Sequence, residues 1–322
     1  MSFPSALLPL STMHRHQRDA LVYDPSDNAV KDVTAYGIAC VFTPASNRQH
    51  GYARHMMRLV HWVVGNASFR ASHPFPAAWG TPPSGPGDGV FSVLWSDVGP
   101  DFYHRAGEGE ARGGGWRVVG PLSSVIPVSP DSSVTVDAGD WRTLDLAQAE
   151  AQWAEDAVLI RKDLAAAGHA HSDQTIAAFL PDRGVAAFQP FRSIDAITGK
   201  LPFTDWGIQL QAQDGLSSTW ATWCFELWAK PPSLLVTRLR VPDVLHFKRL
   251  VPQLLRAAAD AGVAEVEFWN LSDEFRDAVA AAGGRTFERN DHLPAIKYYG
   301  EVAEENVQLM FNEKLVSSLL EP

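Results

Sequence analysis

The apolar run Tyr36-Gly37-Ile38-Ala39-Cys40-Val41-Phe42 passes through Arg48-Gln49-His50-Gly51-Tyr52-Ala53 into a helical stretch that begins Arg54-His55-Met56-Met57. This strand-to-helix junction limits the possible folds more than any other part of the chain. A strand that hands over directly to a helix belongs to a layered architecture in which the helix packs on the sheet. The turn amides and the helix N-terminus point at one spot, the helix dipole is positive there, and Gly51 lets a bulky anion approach the backbone closely. The junction therefore has the make-up of a phosphate cradle. An ordinary tight turn is the plainer alternative, because only three positions of the hexapeptide are constrained.

The rest of the chain supplies strands and helices around this junction. Asp19–Tyr23 and Val33–Thr43 form an antiparallel hairpin about the turn Asp24-Pro25-Ser26-Asp27-Asn28. Met56, Met57, Leu59, Val60, Trp62, Val63 and Val64 fall on and around one helical face that ends near Gly65. A loop runs from His73 to Gly89, Val90–Trp95 is a strand, and a short helix follows through Pro100 to Arg105, which Ser96 or Asp97 can cap. Trp116–Val119 and Ser124–Val128 close this first unit. Residues 130–140 read as a linker, so the expected domains are 1–129 and 141–322.

In the second unit, Leu144–Ala167 is an amphipathic helix, and Gly184–Phe188 and Thr222–Trp228 read as strands. Leu234–Leu239, Phe247–Ala261, Val263–Trp269 and Glu274–Ala282 then repeat the strand-helix-strand-helix order of residues 36–107. The repeat lacks a phosphate cradle, since Val241-Pro242-Asp243-Val244-Leu245 puts Pro and Asp where amides and a positive centre are needed. The second unit is expected to hold no cofactor.

Composition narrows the partners. At 322 residues the chain is long for a single core. A net charge of −10, with no run of Lys and Arg, gives no electrostatic footprint for nucleic acid or an anionic membrane; a small cationic substrate suits it better. No segment reaches the ~18–20 consecutive apolar residues of a membrane helix. Two cysteines, Cys40 and Cys224, each inside an apolar run, point to no disulfide framework and to a cytoplasmic setting. His14-Arg15-His16 and His169-Ala170-His171 lack a third ligand, so no metal site is expected. Composition does not fix the oligomeric state.

The hexapeptide, its strand and the downstream Asp101-Phe102-Tyr103-His104-Arg105-Ala106-Gly107 resemble the two signature segments of GCN5-related N-acetyltransferases, the GNAT superfamily. Arg48, Gly51 and Ala53 fit its acetyl-coenzyme A pyrophosphate turn, and Phe102-Tyr103-x-x-x-Gly107 fits the helix that ends its cofactor half. Val30–Pro44, Val93–Gly99 and Phe268-Trp269-Asn270 are similar to the fungal lysine N-acetyltransferase family over nearly the whole chain. The resemblance implies an α/β (α+β) fold. It would have a GNAT-like mixed sheet flanked by helices, followed by a second, degenerate GNAT-like α/β domain.

The implied activity is acetyl transfer from acetyl-CoA to the side-chain amine of lysine or a similar small cationic amine. Tyr103 would be the acid that protonates the departing thiolate, and Asp97 a base or amine anchor, with helix capping as its structural alternative. Val41, Phe42 and Thr43 would pair by main chain with the pantetheine arm; Arg48, Gln49, His50, Gly51, Tyr52, Ala53 and Arg54 would hold pyrophosphate; Ser96 lies where the two strands splay. Glu226, Glu267 and several tryptophans, Trp269 among them, would line an amine pocket from the second unit.

Superfamily members begin with a strand and two helices that wall the acceptor site, whereas only some 20 residues precede the first hairpin strand here. Roughly 70 to 100 family-typical residues are thus expected to be absent at the N-terminus. A catalytically degenerate CoA-binding or scaffold protein is the alternative that follows.

Overall fold

The computed structural model describes residues 10–83, 87–109, 113–129, 139–171, 173–187, 189–190, 203–211 and 219–310. Its first hairpin joins β1 (Thr12–Asp24) to β2 (Ala29–Phe42), both longer than the sequence suggests. The turn between them is fixed by local side chains. Asp24 accepts from the Ser26 amide and hydroxyl at 3.0 and 2.7 Å, and Asn28 takes the left-handed conformation with its Oδ1 held by the Tyr23 hydroxyl at 2.6 Å. Next come α1 (Tyr52–Val64), α2 (Ala67–Ser72), β3 (Gly89–Ser96) and the one-turn α3 (Asp101–His104). Helix α2 lies where no helix was expected; Asn66 caps it by accepting from the Phe69 amide at 2.8 Å.

The chain continues through β4 (Arg117–Val118), β5 (Leu122–Pro127), β6 (Trp141–Leu144), α4 (Leu146–Ala170) and β7 (Thr175–Phe179). Asp145 and Gln148 start α4 with a reciprocal capping box, at 2.8 and 3.0 Å. The remaining elements are β8 (Gly207–Leu210), β9 (Thr219–Glu226), β10 (Ser233–Arg240), α5 (Val244–Asp260), β11 (Glu265–Trp269), α6 (Arg276–Ala281), β12 (Arg285–Glu288), β13 (Leu293–Tyr298) and β14 (Val307–Leu309). Residues 184–187 form turns rather than the expected strand, and Phe188 lies outside the described residues. A short run of Gly and Ala has too little side chain to specify a pleated surface. Most of the 130–140 segment, residues 130–138, also lies outside them. Among the described residues no helix is long and apolar enough to cross a membrane.

Two seven-stranded sheets result, in the orders β14-β7-β1-β2-β3-β13-β4 and β6-β8-β9-β10-β11-β5-β12. Their central strands correspond, whereas one edge differs: β14 runs parallel to β7 and β6 antiparallel to β8. In each, a central parallel pair (β2 with β3, β10 with β11) is joined through a helix, α1 or α5, and antiparallel strands flank the pair. The repeated strand-helix-strand-helix order is therefore a repeat in three dimensions.

The sixth strand of each sheet comes from the other half of the chain. β13, made after β12, lies between β3 and β4 of the first sheet, and β5, made before the 130–140 segment, lies between β11 and β12 of the second. Ser124–Val128, expected to close the first unit, instead supplies this strand of the second sheet. The sheets thus trade strands across residues 130–140.

Separate cores cover the sheets, and α4 ties them together. Met57, Val60 and Val64 of α1 pack with Tyr36, Ile38 and Leu94 of the first sheet, whereas Phe247, Leu250 and Leu254 of α5 pack with Val236, Val266 and Phe268 of the second. From α4, Trp153 donates to Thr222 at 3.1 Å, and the fully buried Asp156 accepts from Arg238 at 2.6 Å and also from Arg240. A buried carboxylate requires such paired, hydrogen-bonded partners.

Candidate functional site

The central parallel pair of the first sheet opens. Its ladder runs from Thr34↔Gly89 to Ile38↔Leu94, after which β2 continues to Phe42 and β3 to Ser96. Against β1 the register slips: Thr12 faces Phe42 and His14 faces Ala39, so β2 carries one extra residue there. Cys40, at φ 52°, provides the left-handed step of this bulge. The bulge bends β2 where the ladder with β3 stops, which makes a V-shaped cleft between the two strand ends.

Val41 is half-buried against the α1 core, and Phe42 is exposed. The Thr43 hydroxyl pairs with Ser11 at 2.9 Å, and the Thr43 carbonyl accepts from Arg48 Nε at 3.1 Å. Arg48 thus folds back to brace the turn at the head of the cleft. Gln49 and Gly51 both take left-handed conformations, at φ 67° and 82°. Gly51 is the N-cap of α1, with no side-chain hydrogen bond on the cap and no acidic residue in the first turn. A Cβ at Gly51 would meet no atom within 4 Å, so the space above it is open. His50 and Tyr52 stack, with ring centroids 5.7 Å apart. Arg48, Gln49, His50, Gly51 and Arg54 are exposed, with Tyr52 and Ala53 half-buried. The structure brings all seven predicted turn residues around one uncapped helix start.

In the second sheet the ladder between β10 and β11 also ends early, at Val236↔Phe268, and an extra residue in β10 follows immediately. The helix start differs. The Asp243 side chain accepts from the His246 amide at 2.9 Å, and that hydrogen bond holds its carboxyl below the usual range. A carboxylate there already takes the place that an anion would need.

Tyr103 stands on α3 with its side chain 9% exposed, edge-on to Phe102 at 4.9 Å and to Trp116 at 6.4 Å. Burial, then the nearby negative charge of Asp97, pushes its phenol up to about 12. Asp97 thus lies near enough to Tyr103 for its charge to act on the phenol. The expected capping does not occur: the N-cap of α3 is Pro100, without a side-chain cap bond. Ser96 instead closes the 96–99 turn, donating to the Gly99 carbonyl at 2.7 Å and accepting from the Val98 amide at 3.3 Å.

Asp97 reaches the exchanged strand. Its Oδ1 accepts from the His292 amide at 2.9 Å, and His292 Nδ1 lies 2.8 Å from the same oxygen. The second sheet repeats this clasp without a charge: Asn270 Oδ1 accepts from the Leu122 amide at 3.1 Å. In both sheets, the residue just past the parallel strand holds the start of the exchanged strand: His292 just before β13, and Leu122 as the first residue of β5. Sequence offered no sign of this second duty of Asp97, because its partner is 195 positions away.

A buried hydrogen-bonded chain, also absent from the sequence reading, fixes α1 against the Tyr103 segment. His61 Nε2 lies 2.7 Å from the Ala106 carbonyl, so it must carry the proton and donate. Nδ1 then accepts from the Tyr299 hydroxyl at 3.2 Å, Tyr299 accepts from Ser92 at 2.9 Å, and Ser92 accepts from Trp116 Nε1 at 2.9 Å. Burial, with a further push from Lys297, lowers His61 from 6.5 to about 4. The folded protein therefore binds fewer protons than the unfolded chain between those values, and stability falls as pH drops from 6.5 towards 4. The full drop corresponds to about 3 kcal/mol. Thermal melts at pH 7 and pH 4.5 should differ by less in His61→Gln than in the wild type; an unchanged difference would remove His61 as the source.

A mixed sheet with a splayed, bulged parallel pair, an uncapped helix start at the splay and a tyrosine-bearing turn opposite is a GNAT-type acetyltransferase fold; the second sheet repeats the splay and the bulge, with its helix start capped by Asp243. Residues 125–317, more than half of the chain, match the family model described as the LYC1 GNAT-like C-terminal domain, and the chain belongs to that family. No curated protein matches it. Among solved structures, a conserved protein of Enterococcus faecalis V583, described as a probable N-acyltransferase, is 9% identical, with 90% of this chain and 59% of that chain covered and a TM-score of 0.49. A GCN5-related N-acetyltransferase from Kribbella flavida is 14% identical, with 90% and 55% covered and a TM-score of 0.39. Eis1 from Mycobacterium abscessus is 11% identical, with 88% and 60% covered and a TM-score of 0.43. The chain spans about three fifths of the length of these structures.

Proposed function

We propose that this acyltransferase-family chain uses acetyl-CoA and transfers acetyl to the side-chain amine of lysine or a similar small cationic amine. One observation carries the reading: the β2–β3 ladder stops at Ile38↔Leu94 and opens onto an uncapped helix start with free space above Gly51. The exposed amides of Tyr52, Ala53 and Arg54, with Arg48 and Arg54 charges beside them, suit a pyrophosphate. The bulged end of β2, Val41–Thr43, suits an extended pantetheine arm. His50 and Gln49 complete the turn.

The amine attacks the thioester carbonyl; the C–N bond forms, the C–S bond breaks, and the ammonium proton leaves through the cleft. Tyr103, held near 12, stays protonated throughout the neutral range. Full transfer from such a phenol to a thiolate of pKa about 8.5 is uphill by roughly 5 kcal/mol. Its role is therefore to donate a hydrogen bond to the developing thiolate. A cytoplasmic setting fits a chain whose two cysteines, Cys40 and Cys224, form no disulfide.

Calorimetric titration of acetyl-CoA, followed by an assay of lysine acetylation, tests the reading. Gly51→Val strains a left-handed cap and fills the space above it, and should weaken acetyl-CoA binding by tenfold or more. Equal affinity in wild type and Gly51→Val would reject the cradle. A non-catalytic CoA-binding protein is the second reading, favoured by the engagement of Asp97 with His292; binding without turnover on any amine supports it.

A further inference from the structure

Where the two exchanged strands cross, the segment 119–122 entering β5 and the segment 289–292 entering β13 run side by side. The Arg289 amide donates to the Pro121 carbonyl at 2.8 Å. The crossing lies at the ends of β3 and β11, where Trp95 packs against the small buried cluster that contains Trp269. Ligands of layered α/β folds gather at such strand ends.

Arg289 is only 5% exposed, yet among the described residues no carboxylate lies within ion-pair distance of it. Its guanidinium sits 4.0 Å over the Trp269 ring and donates to the carbonyls of Leu122 at 3.0 Å and His292 at 3.4 Å, while its Nε is buried without an acceptor. Trp95, packed against that cluster, likewise has its Nε1 buried without an acceptor. Burial draws Arg289 down to about 10, only partly offset by the more distant Glu267 and Asp291. Buried donors without partners are unfavourable, the charged one most of all. Such a pair is complementary to a carboxylate.

The anion of the neighbourhood is complementary in the other sense. Glu267 Oε1 accepts from Ser123 at 2.5 Å and from Trp269 Nε1 at 2.8 Å, whereas Oε2 takes no hydrogen bond from the described residues and the side chain is half-buried. Ser123 and Trp269 thus orient the carboxylate and leave one oxygen for a donor.

We propose that the niche around Trp269 binds an α-amino acid as its zwitterion, the carboxylate on the Arg289 fork and the α-ammonium on Glu267 Oε2. Trp269 serves as the floor that holds Arg289 planar and limits water. The site draws Arg289 from the segment after β12 and Glu267 from β11, so both halves of the recognition belong to the second sheet and its crossing segment. Only the choice of lysine as probe rests on the acetyl-acceptor reading; the niche itself is independent of acetyl-CoA.

Titration calorimetry with L-lysine and with L-lysinamide, which keeps both amines and lacks the carboxylate, reads the site directly. Wild type should bind lysine at least tenfold more tightly than lysinamide, and Arg289→Met should remove that difference with acetyl-CoA affinity unchanged. Should Arg289→Met fail to fold, Arg289→Lys, which keeps the charge without the fork, should shrink the preference severalfold. Glu267→Gln should weaken both ligands. Equal binding of the two ligands to wild type, survival of the preference in the Arg289 variants, or binding of neither by a protein that binds acetyl-CoA would each overturn the niche. Binding of lysine by a protein that ignores acetyl-CoA would keep the niche and reject the transferase reading instead.

Discussion

Residues 1–129 expressed alone should remain unfolded, whereas co-expression with residues 130–322 should recover a one-to-one complex. In isolation the first piece lacks β13, so β3 loses a neighbour over Phe91–Ser96 and the two-residue β4 loses the strand that holds it. It also loses Tyr299, which leaves His61 Nδ1 and Ser92 without their buried partner. An exposed central strand is a template for aggregation. The second piece is deprived of β5 in the same way, exposing β11 and β12. Circular dichroism and size exclusion on the separate and co-expressed pieces check this; a cooperative thermal transition in residues 1–129 alone would show that the exchange is dispensable.

Replacing Tyr103 by Phe should lower kcat for lysine acetylation by ~10²–10³, the usual share of one hydrogen-bond donor aimed at developing charge, with acetyl-CoA affinity nearly unchanged. The ring contacts with Phe102 and Trp116 survive that change, so a loss of folding is not expected. Asp97 separates two roles in the same assay. Asp97→Asn keeps an acceptor for the His292 amide, as Asn270 does for Leu122, and should retain most of the rate if the position is a clasp. Because Asp97 raises the Tyr103 phenol, the neutral variant should let Tyr103 ionise at a lower pH and bring the loss of rate at high pH forward. Asp97→Ala orphans the amide and should destabilise by about 1–3 kcal/mol. If Asp97→Asn abolishes turnover while folding is intact, Asp97 is a base.

Local features were legible in the sequence. The hairpin turn at Asp24–Asn28, the helix through Met57 and Val60 and the Gly51 junction each depend on residues a few positions apart, and each formed. The repeat of strand-helix-strand-helix order was also readable, and it proved to extend to the splay and the bulge. The exchange of β5 and β13 was not. Neither Leu122–Pro127 nor Leu293–Tyr298 carries a clean apolar alternation, and nothing in either pattern tells which sheet the strand will join. The same limit hid the site's supporting contacts. His61 and Tyr299 are 238 positions apart, and no periodicity links a histidine on one helix to a tyrosine beyond the last strand of the opposite half. Ser96 and Asp97 misled for a different reason: Pro100 starts α3 three residues later, and the intervening turn uses both side chains elsewhere.

The crossing of β5 and β13 also sets an order of completion during synthesis. A chain leaves the ribosome N-terminus first at ~5–20 residues per second, and domains usually fold as they emerge. Here the sheet that contains the earliest residues must wait for residues 293–298 and 307–309, whereas the second sheet already has its borrowed strand and closes once residues 285–288 appear. The half that bears the Gly51 cradle is therefore finished last, and a nascent chain interrupted before β13 has a completed second sheet and an open first one.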